Sequence, residues 1–155
     1  LARGEEVERI HEIRCLNELI PVYVEQLAPM AADRGLDLSI DEQAQLWVKA
    51  PSRVIQIILT NLLRNAINYT QQGSVVVRIR KNTISVIDTG IGMSPEELQH
   101  AFEPFYRGER SRASSMGHGL GLSIVRRLVH QFDWPIHVQS NVGKGTEVTI
   151  EFFEG

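Results

Sequence analysis

Across residues 51–70 the apolar side chains recur every three or four positions: Val54, Ile55, Ile58, Leu59, Leu62, Leu63 and Ala66. That spacing makes one broad apolar face of a helix, and such a face must be buried against a second layer. Pro51 suits the first turn, because it has no N–H to leave unpaired there. Just beyond the helix the period changes. "SVVVRIR" (74–80) and "TISVID" (83–88) alternate on either side of Lys81–Asn82 and predict a hairpin. A one-faced helix running into a hairpin specifies helices packed on a sheet.

The rest of the chain extends this plan. Helical spacing over 19–32 stops at Arg34–Gly35. "LDLSI" (36–40) alternates as a strand, and "QLWVKA" (45–50) is its expected partner across a turn at Asp41–Glu42. Ser94, Pro95 and Glu97 spell a capping box with proline at the first helical position, so a short helix should run to about Ala101. Residues 103–118 are polar, rich in Gly, Ser and Arg, and aperiodic. A loop that long in a compact domain is functional or mobile. A helix over 119–132 and strands near 135–140 and 146–153, joined by "NVGKG", complete the set. The expected architecture is an α/β two-layer sandwich: a mixed, mostly antiparallel sheet covered on one face by three helices. The charged stretch 1–18 lacks an apolar face and reads as a linker, which leaves 19–155 as one domain.

Composition excludes several classes. A net charge of −3 offers no basic field for nucleic acid. The single cysteine, Cys15, rules out an internal disulfide and a cysteine-rich zinc site, and fits a reducing cytoplasm. No apolar run approaches the roughly 20 residues that span a bilayer. With no signal peptide and no initiating Met, the chain reads as a piece of something longer.

Four stretches could carry chemistry. Asn61, Asn65 and Asn68–Tyr69 fall on or near one face of the long helix, where asparagine is a poor helix former and needs a reason. One such residue would be a surface amide; the set suggests a polar stripe aimed into a pocket. Amide oxygens are hard ligands suited to Mg²⁺, which keeps water and phosphate oxygens as its other ligands. In "IDTGIGM" (87–93), Asp88 ends an apolar strand, where its carboxylate can accept from an exocyclic amine. Gly90 and Gly92 would let a ligand approach the backbone. "FEPFYRGERSR" (102–112) offers Phe102 and Phe105 as loop anchors and Arg107, Arg110 and Arg112 for anionic phosphates. In "GHGLGLSIVRRLV" (117–129), Gly117, Gly119 and Gly121 lead into a helix whose N-terminal amides favour anions. The spacing fits neither a dinucleotide-binding fingerprint nor a Walker A loop.

In this order and spacing, "NLLRNAINYT", "DTGIG", "FEPFYR" and "GHGLGLSIV" resemble the N, G1, F and G2 boxes of the catalytic ATP-binding domain of bacterial sensor histidine kinases. The resemblance covers roughly residues 17–154 and implies the Bergerat ATP-binding sandwich with a mobile ATP lid. It implies that Asn65 coordinates Mg²⁺ with Asn61 assisting, and that Tyr69 stacks on adenine. Asp88 would bond the adenine amino group, with Gly90 and Gly92 shaping that wall. Phe102 and Phe105 match F-box residues, and Arg107 the arginine near the phosphates. Residues from about 107 to 118 match the lid, and Gly117, Gly119, Leu120 and Gly121 its hinge and phosphate cradle; His118 lies within it. The implied activity is that of a protein-histidine kinase. Bound Mg²⁺-ATP would donate its γ-phosphate to a histidine on a separate dimerisation domain, for relay to the receiver domain of a response regulator. The full-length protein is expected in the bacterial inner membrane, with this domain on the cytoplasmic side and monomeric when isolated.

Two positions depart from the family pattern. Asn68 stands where many members have a phosphate-reaching lysine, and Asp133–Trp134 where small residues are common, a change expected to be structural. "HEIR" (11–14) imitates a phosphoacceptor motif, but no helical hairpin fits between His11 and Asn65. A regulatory nucleotide-binding module without phosphotransfer is the competing reading, with Asn68 in its favour. An anti-sigma-type serine kinase shares the fold but fits the F box less well. A gyrase-class ATPase would need an acid near the N box, where Ile57, Ile58, Leu59 and Thr60 stand.

Overall fold

A computed structural model describes residues 13–103 and 121–152. In chain order these form β1 (Ile13–Cys15), α1 (Leu16–Asp33), β2 (Asp37–Glu42), β3 (Trp47–Lys49), α2 (Ser52–Asn68), β4 (Ser74–Arg80) and β5 (Thr83–Asp88). Then follow α3 (Pro95–Gln99), α4 (Gly121–Gln131), β6 (Ile136–Asn141) and β7 (Gly145–Glu151). Five strands make the main sheet in the order β2-β4-β5-β7-β6, and β1 pairs with β3 apart from it. Among the described strands only the β2–β4 pair is parallel. The helices lie on one face, with α2 packed against α1, α4 and the central strands β4 and β5. The expected two-layer sandwich is the observed one.

The α2 stripe is buried where the spacing placed it: Ile55, Ile58, Leu59 and Leu63 are wholly inaccessible. They meet the helix-facing rows of the sheet, Val75, Val77 and Ile79 on β4, Ile84 and Val86 on β5, and Val148 and Ile150 on β7. Each such side chain contributes roughly 1.5–3 kcal/mol on burial. The β4–β5 hairpin has the expected register, with Arg80 opposite Thr83 and Asn82 at φ 69 in the turn. Ser94 and Glu97 form the expected capping box on α3. Pro51 stands one place earlier than expected, as the N-cap.

Two expectations are corrected. The strand at 36–40 does not fold back on 45–50. It pairs parallel with β4, Asp41 lies opposite Arg78, and 41–42 are strand rather than turn. The segment at 47–49 pairs antiparallel with β1 instead. Asn17 directs this. Its amide nitrogen donates to Glu42 Oε1 and to the Ala44 carbonyl, while its oxygen accepts from Leu46 N–H. The first helix also starts at Leu16, not Leu19, because Leu16 and Ile20 are fully buried core residues. Residues 13–18, read as part of a linker, are therefore β1 and the first turn of α1.

The 132–134 stretch has the structural use expected of it. Asp133 turns left-handed at φ 58 to close α4, and Trp134 N–H bonds the Val129 carbonyl at 2.8 Å. Trp134 stacks on Phe132 with centroids 4.7 Å apart and meets Phe152 edge-on at 4.8 Å. Among the described residues, no helix is long and apolar enough to cross a membrane.

Candidate nucleotide-binding site

The side chains of β5 alternate between the two faces of the sheet. Ile84 and Val86 point to the helices, and Asp88 is next in that row. A carboxylate thus stands where the pattern calls for an apolar residue. It is only 8 % exposed. Its Oδ1 accepts from Gly90 N–H at 2.9 Å and from Thr146 N–H at 3.2 Å. Burial raises its pKa to about 6, and the two N–H bonds offset only part of that rise. Both bonds fall on Oδ1, which leaves Oδ2 for a ligand's donor.

The DTGIG turn packs directly on the end of α2. Ile91 N–H donates to the Tyr69 carbonyl at 3.0 Å, and a Cβ on Gly90 would lie 2.2 Å from that oxygen, so only glycine fits. On the other side the Ile91 carbonyl accepts from Gly143 N–H, and Met93 N–H bonds Ser140 Oγ at 2.8 Å. Gly92, at φ 70, approaches the Asn141 carbonyl as closely. The loop is therefore clamped between α2 and the β6–β7 turn. A cavity of about 330 Å³, lined by Gln71, Gln72, Thr89, Gly90 and Ile91, opens at this junction.

The asparagines differ from one another. Asn61 and Asn65 are half-buried on α2. Asn61 turns its Nδ2 back onto the Ile57 carbonyl at 2.6 Å, and its oxygen is the atom left to act as a ligand's acceptor or a cation ligand. Asn68 is 8 % exposed, and its buried Oδ1 has no hydrogen-bond partner. A side chain standing in for a solvent-reaching lysine would be more open than this. Tyr69 is half-buried at the helix C-cap.

Among the described residues no cluster of three His, Cys, Asp or Glu side chains could cage a metal. An amide oxygen on α2 fits a hard cation only if the remaining ligands are water and phosphate. Phe102 is half-buried beneath α4, with the Arg126 guanidinium 5.7 Å from its ring centroid. Gly121 is the first residue of α4. Phe105, Arg107, Gly117, His118, Gly119 and Leu120 lie outside the described residues.

Three contributors escape a reading of the sequence. Thr146 supplies a backbone N–H, which any residue could. Gly145 reads as a turn glycine, yet a Cβ there would lie 2.0 Å from the Asp88 carbonyl oxygen. Arg34 reads as the stop signal of α1, yet its guanidinium reaches the end of α2.

A sheet-and-helix sandwich with a buried aspartate at a glycine turn and an amide-bearing helix beside it defines an ATP-binding catalytic domain of the sensor-kinase type. The matching solved structures agree. A mycobacterial sensor histidine kinase, MprB, superposes with a TM-score of 0.75 at 26 % identity over 92 % of this chain and 96 % of that one. ShkA, in complex with AMPPNP, superposes with a TM-score of 0.78 at 26 % identity over 91 % of this chain and 31 % of that one. The model of the histidine kinase-, DNA gyrase B- and HSP90-like ATPases matches residues 50–154, and the chain belongs to that family. The sensor histidine kinase YclK of Bacillus subtilis is 35 % identical over 142 residues, 87 % of this chain but 30 % of the relative. The chain thus spans a third or less of the length of such curated relatives.

Proposed function

We propose that this chain binds Mg²⁺-ATP and, in its full-length protein, donates the γ-phosphate to a histidine on a separate dimerisation domain, for relay to a response regulator. The observation that carries the reading is Asp88: a buried carboxylate fixed through Oδ1 by two backbone N–H groups, beside a glycine wall and the polar stripe of α2. Holding such a group in the core is costly unless a ligand uses it. A purine amine donating to Oδ2 is the complementary chemistry.

The other roles follow from position. Gly90 and Gly92 bring the wall backbone up to the base, and Tyr69 offers it a ring face. Asn65, assisted by the Asn61 oxygen, would hold Mg²⁺, which when bound neutralises charge between the phosphates. Arg107, His118 and the glycines 117, 119 and 121, with Leu120, are assigned to the lid and the phosphate cradle, and Phe105 to the base of that loop, on the strength of their motifs. Catalysis by such a domain is positioning and charge stabilisation, without a covalent step on the protein. The acceptor histidine and its base belong to the dimerisation domain, so this chain alone should bind nucleotide without labelling itself. We place the full-length protein in the bacterial inner membrane with this domain on the cytoplasmic side.

Calorimetric titration with a non-hydrolysable ATP analogue, with and without Mg²⁺, tests the reading. Wild type should saturate, more tightly with Mg²⁺, and Asp88→Asn should weaken binding about a hundredfold or more, because the acceptor loses its charge. Absence of saturable binding by wild type would sink it. The orphaned Asn68 favours the alternative of a regulatory nucleotide module; phosphotransfer to a supplied dimerisation domain separates the two.

A further inference from the structure

The C-terminal end of α2 carries Asn65, Asn68 and Tyr69, and it has no basic residue in its last turn. Its last carbonyls must nonetheless find donors. Tyr69 N–H serves Asn65, Thr70 Oγ1 serves Ala66, and Thr70 N–H serves Ile67. Ile91 N–H serves Tyr69. The remaining two, on Asn68 and Thr70, are both held by one group: a terminal nitrogen of Arg34, at 3.2 Å from each.

Arg34 is not part of α2. It is the C-cap residue of α1, and the chain reverses directly after it. Gly35, at φ 69, returns its N–H to Ala32, and Leu36 returns its N–H to Ala31 and buries its side chain. This closed turn is a Schellman motif, and it fixes the place from which the Arg34 side chain departs. The guanidinium is half-buried, and its Nε is buried without a partner. A cation so placed is held for what its terminal nitrogens bind, which is the negative end of α2.

We infer that Arg34 is a positioning residue for the nucleotide site: it clamps the segment 68–70, and through the Tyr69 carbonyl it sets where the Asp88 turn packs. The inference rests on the reading of the site as nucleotide-binding, but its first test does not. In Arg34→Met the volume stays and the donors go. Amide exchange at Tyr69, Thr70 and Ile91 should accelerate relative to core amides of β4. Affinity for the ATP analogue should fall about tenfold, as for other supporting partners of a binding group. Arg34→Lys, which keeps a charged donor, should recover part of both.

The control is Val24→Ala on the same helix. Its neighbour Tyr23 bonds the Ser52 carbonyl at the opposite end of α2, so Val24 lies far from the clamp. At a comparable loss of Tm it should leave analogue affinity and the three amides unchanged. Unaltered exchange at those amides in Arg34→Met overturns the inference, as does an equal loss of affinity in Val24→Ala. If wild type binds no nucleotide, the proposed function fails, and the exchange data still decide whether Arg34 is the clamp.

Discussion

The two faces of the main sheet handle polar groups in opposite ways. On the open face they answer one another across strands. Asp41 and Arg78 pair at 2.9 Å, and Ser85 shares a 2.8 Å hydrogen bond with Thr149. Arg78 holds the Asp41 carboxyl below its usual range. On the helix-facing side of β4 and β5 the residues are Val and Ile until Asp88, whose pKa moves the other way. A charged group on the open face costs nothing and signifies little. The same group in the core row is expensive, so its presence there points to use.

This contrast can be broken in three places. The largest effect belongs to the apolar row: Ile84→Ala should cost about 2–5 kcal/mol in chemical denaturation, since the side chain is wholly buried. A loss below 1 kcal/mol would mean that the core face is softer than its packing implies. Next comes Asp88 itself. Its folded pKa is raised from 3.8 to about 6, so its contribution is fully present below pH 3.8 and is lost as pH rises through 6. The stability of Asp88→Asn relative to wild type should therefore be about 3 kcal/mol greater at pH 7 than at pH 3. Parallel pH curves for the two proteins would show that the carboxylate is not under strain. The smallest effect belongs to the open face. Ser85→Ala should cost about 1 kcal/mol. Asp41→Asn should cost less still, since exposed ion pairs contribute little. A larger loss at Asp41 would erase the distinction between the faces.

The same contrast explains what could be read in advance. The α2 stripe, the β4–β5 hairpin and the Ser94–Glu97 capping box were legible because each is set by neighbours a few residues away. Asp88 was legible because it interrupts a period-two row and meets glycines. The partner of β2 was not, because alternation at 36–40 specifies a face and not a neighbour. The decision came from Asn17, distant in sequence, which holds residues 44 and 46 and turns that segment toward β1. Arg34 was hidden for a similar reason. A basic residue before glycine ends a helix, and nothing local shows that its side chain caps a different one. Thr146 acts through its backbone, which leaves no mark on residue type.

The hydrogen bond from Thr146 N–H to Asp88 spans 58 residues. Its consequence is one of timing. As the chain leaves the ribosome, the β4–β5 hairpin can close on itself, and α2 has its sheet partners soon after. Asp88 is then in place but incompletely held, and it stays so until β7, the last of the described strands, has been made and has paired along β5. A chain cut short before residue 146 would keep the motifs of the helix and the glycine turn and still lack an assembled pocket. Completion of β7 and completion of the Asp88 anchor are the same event.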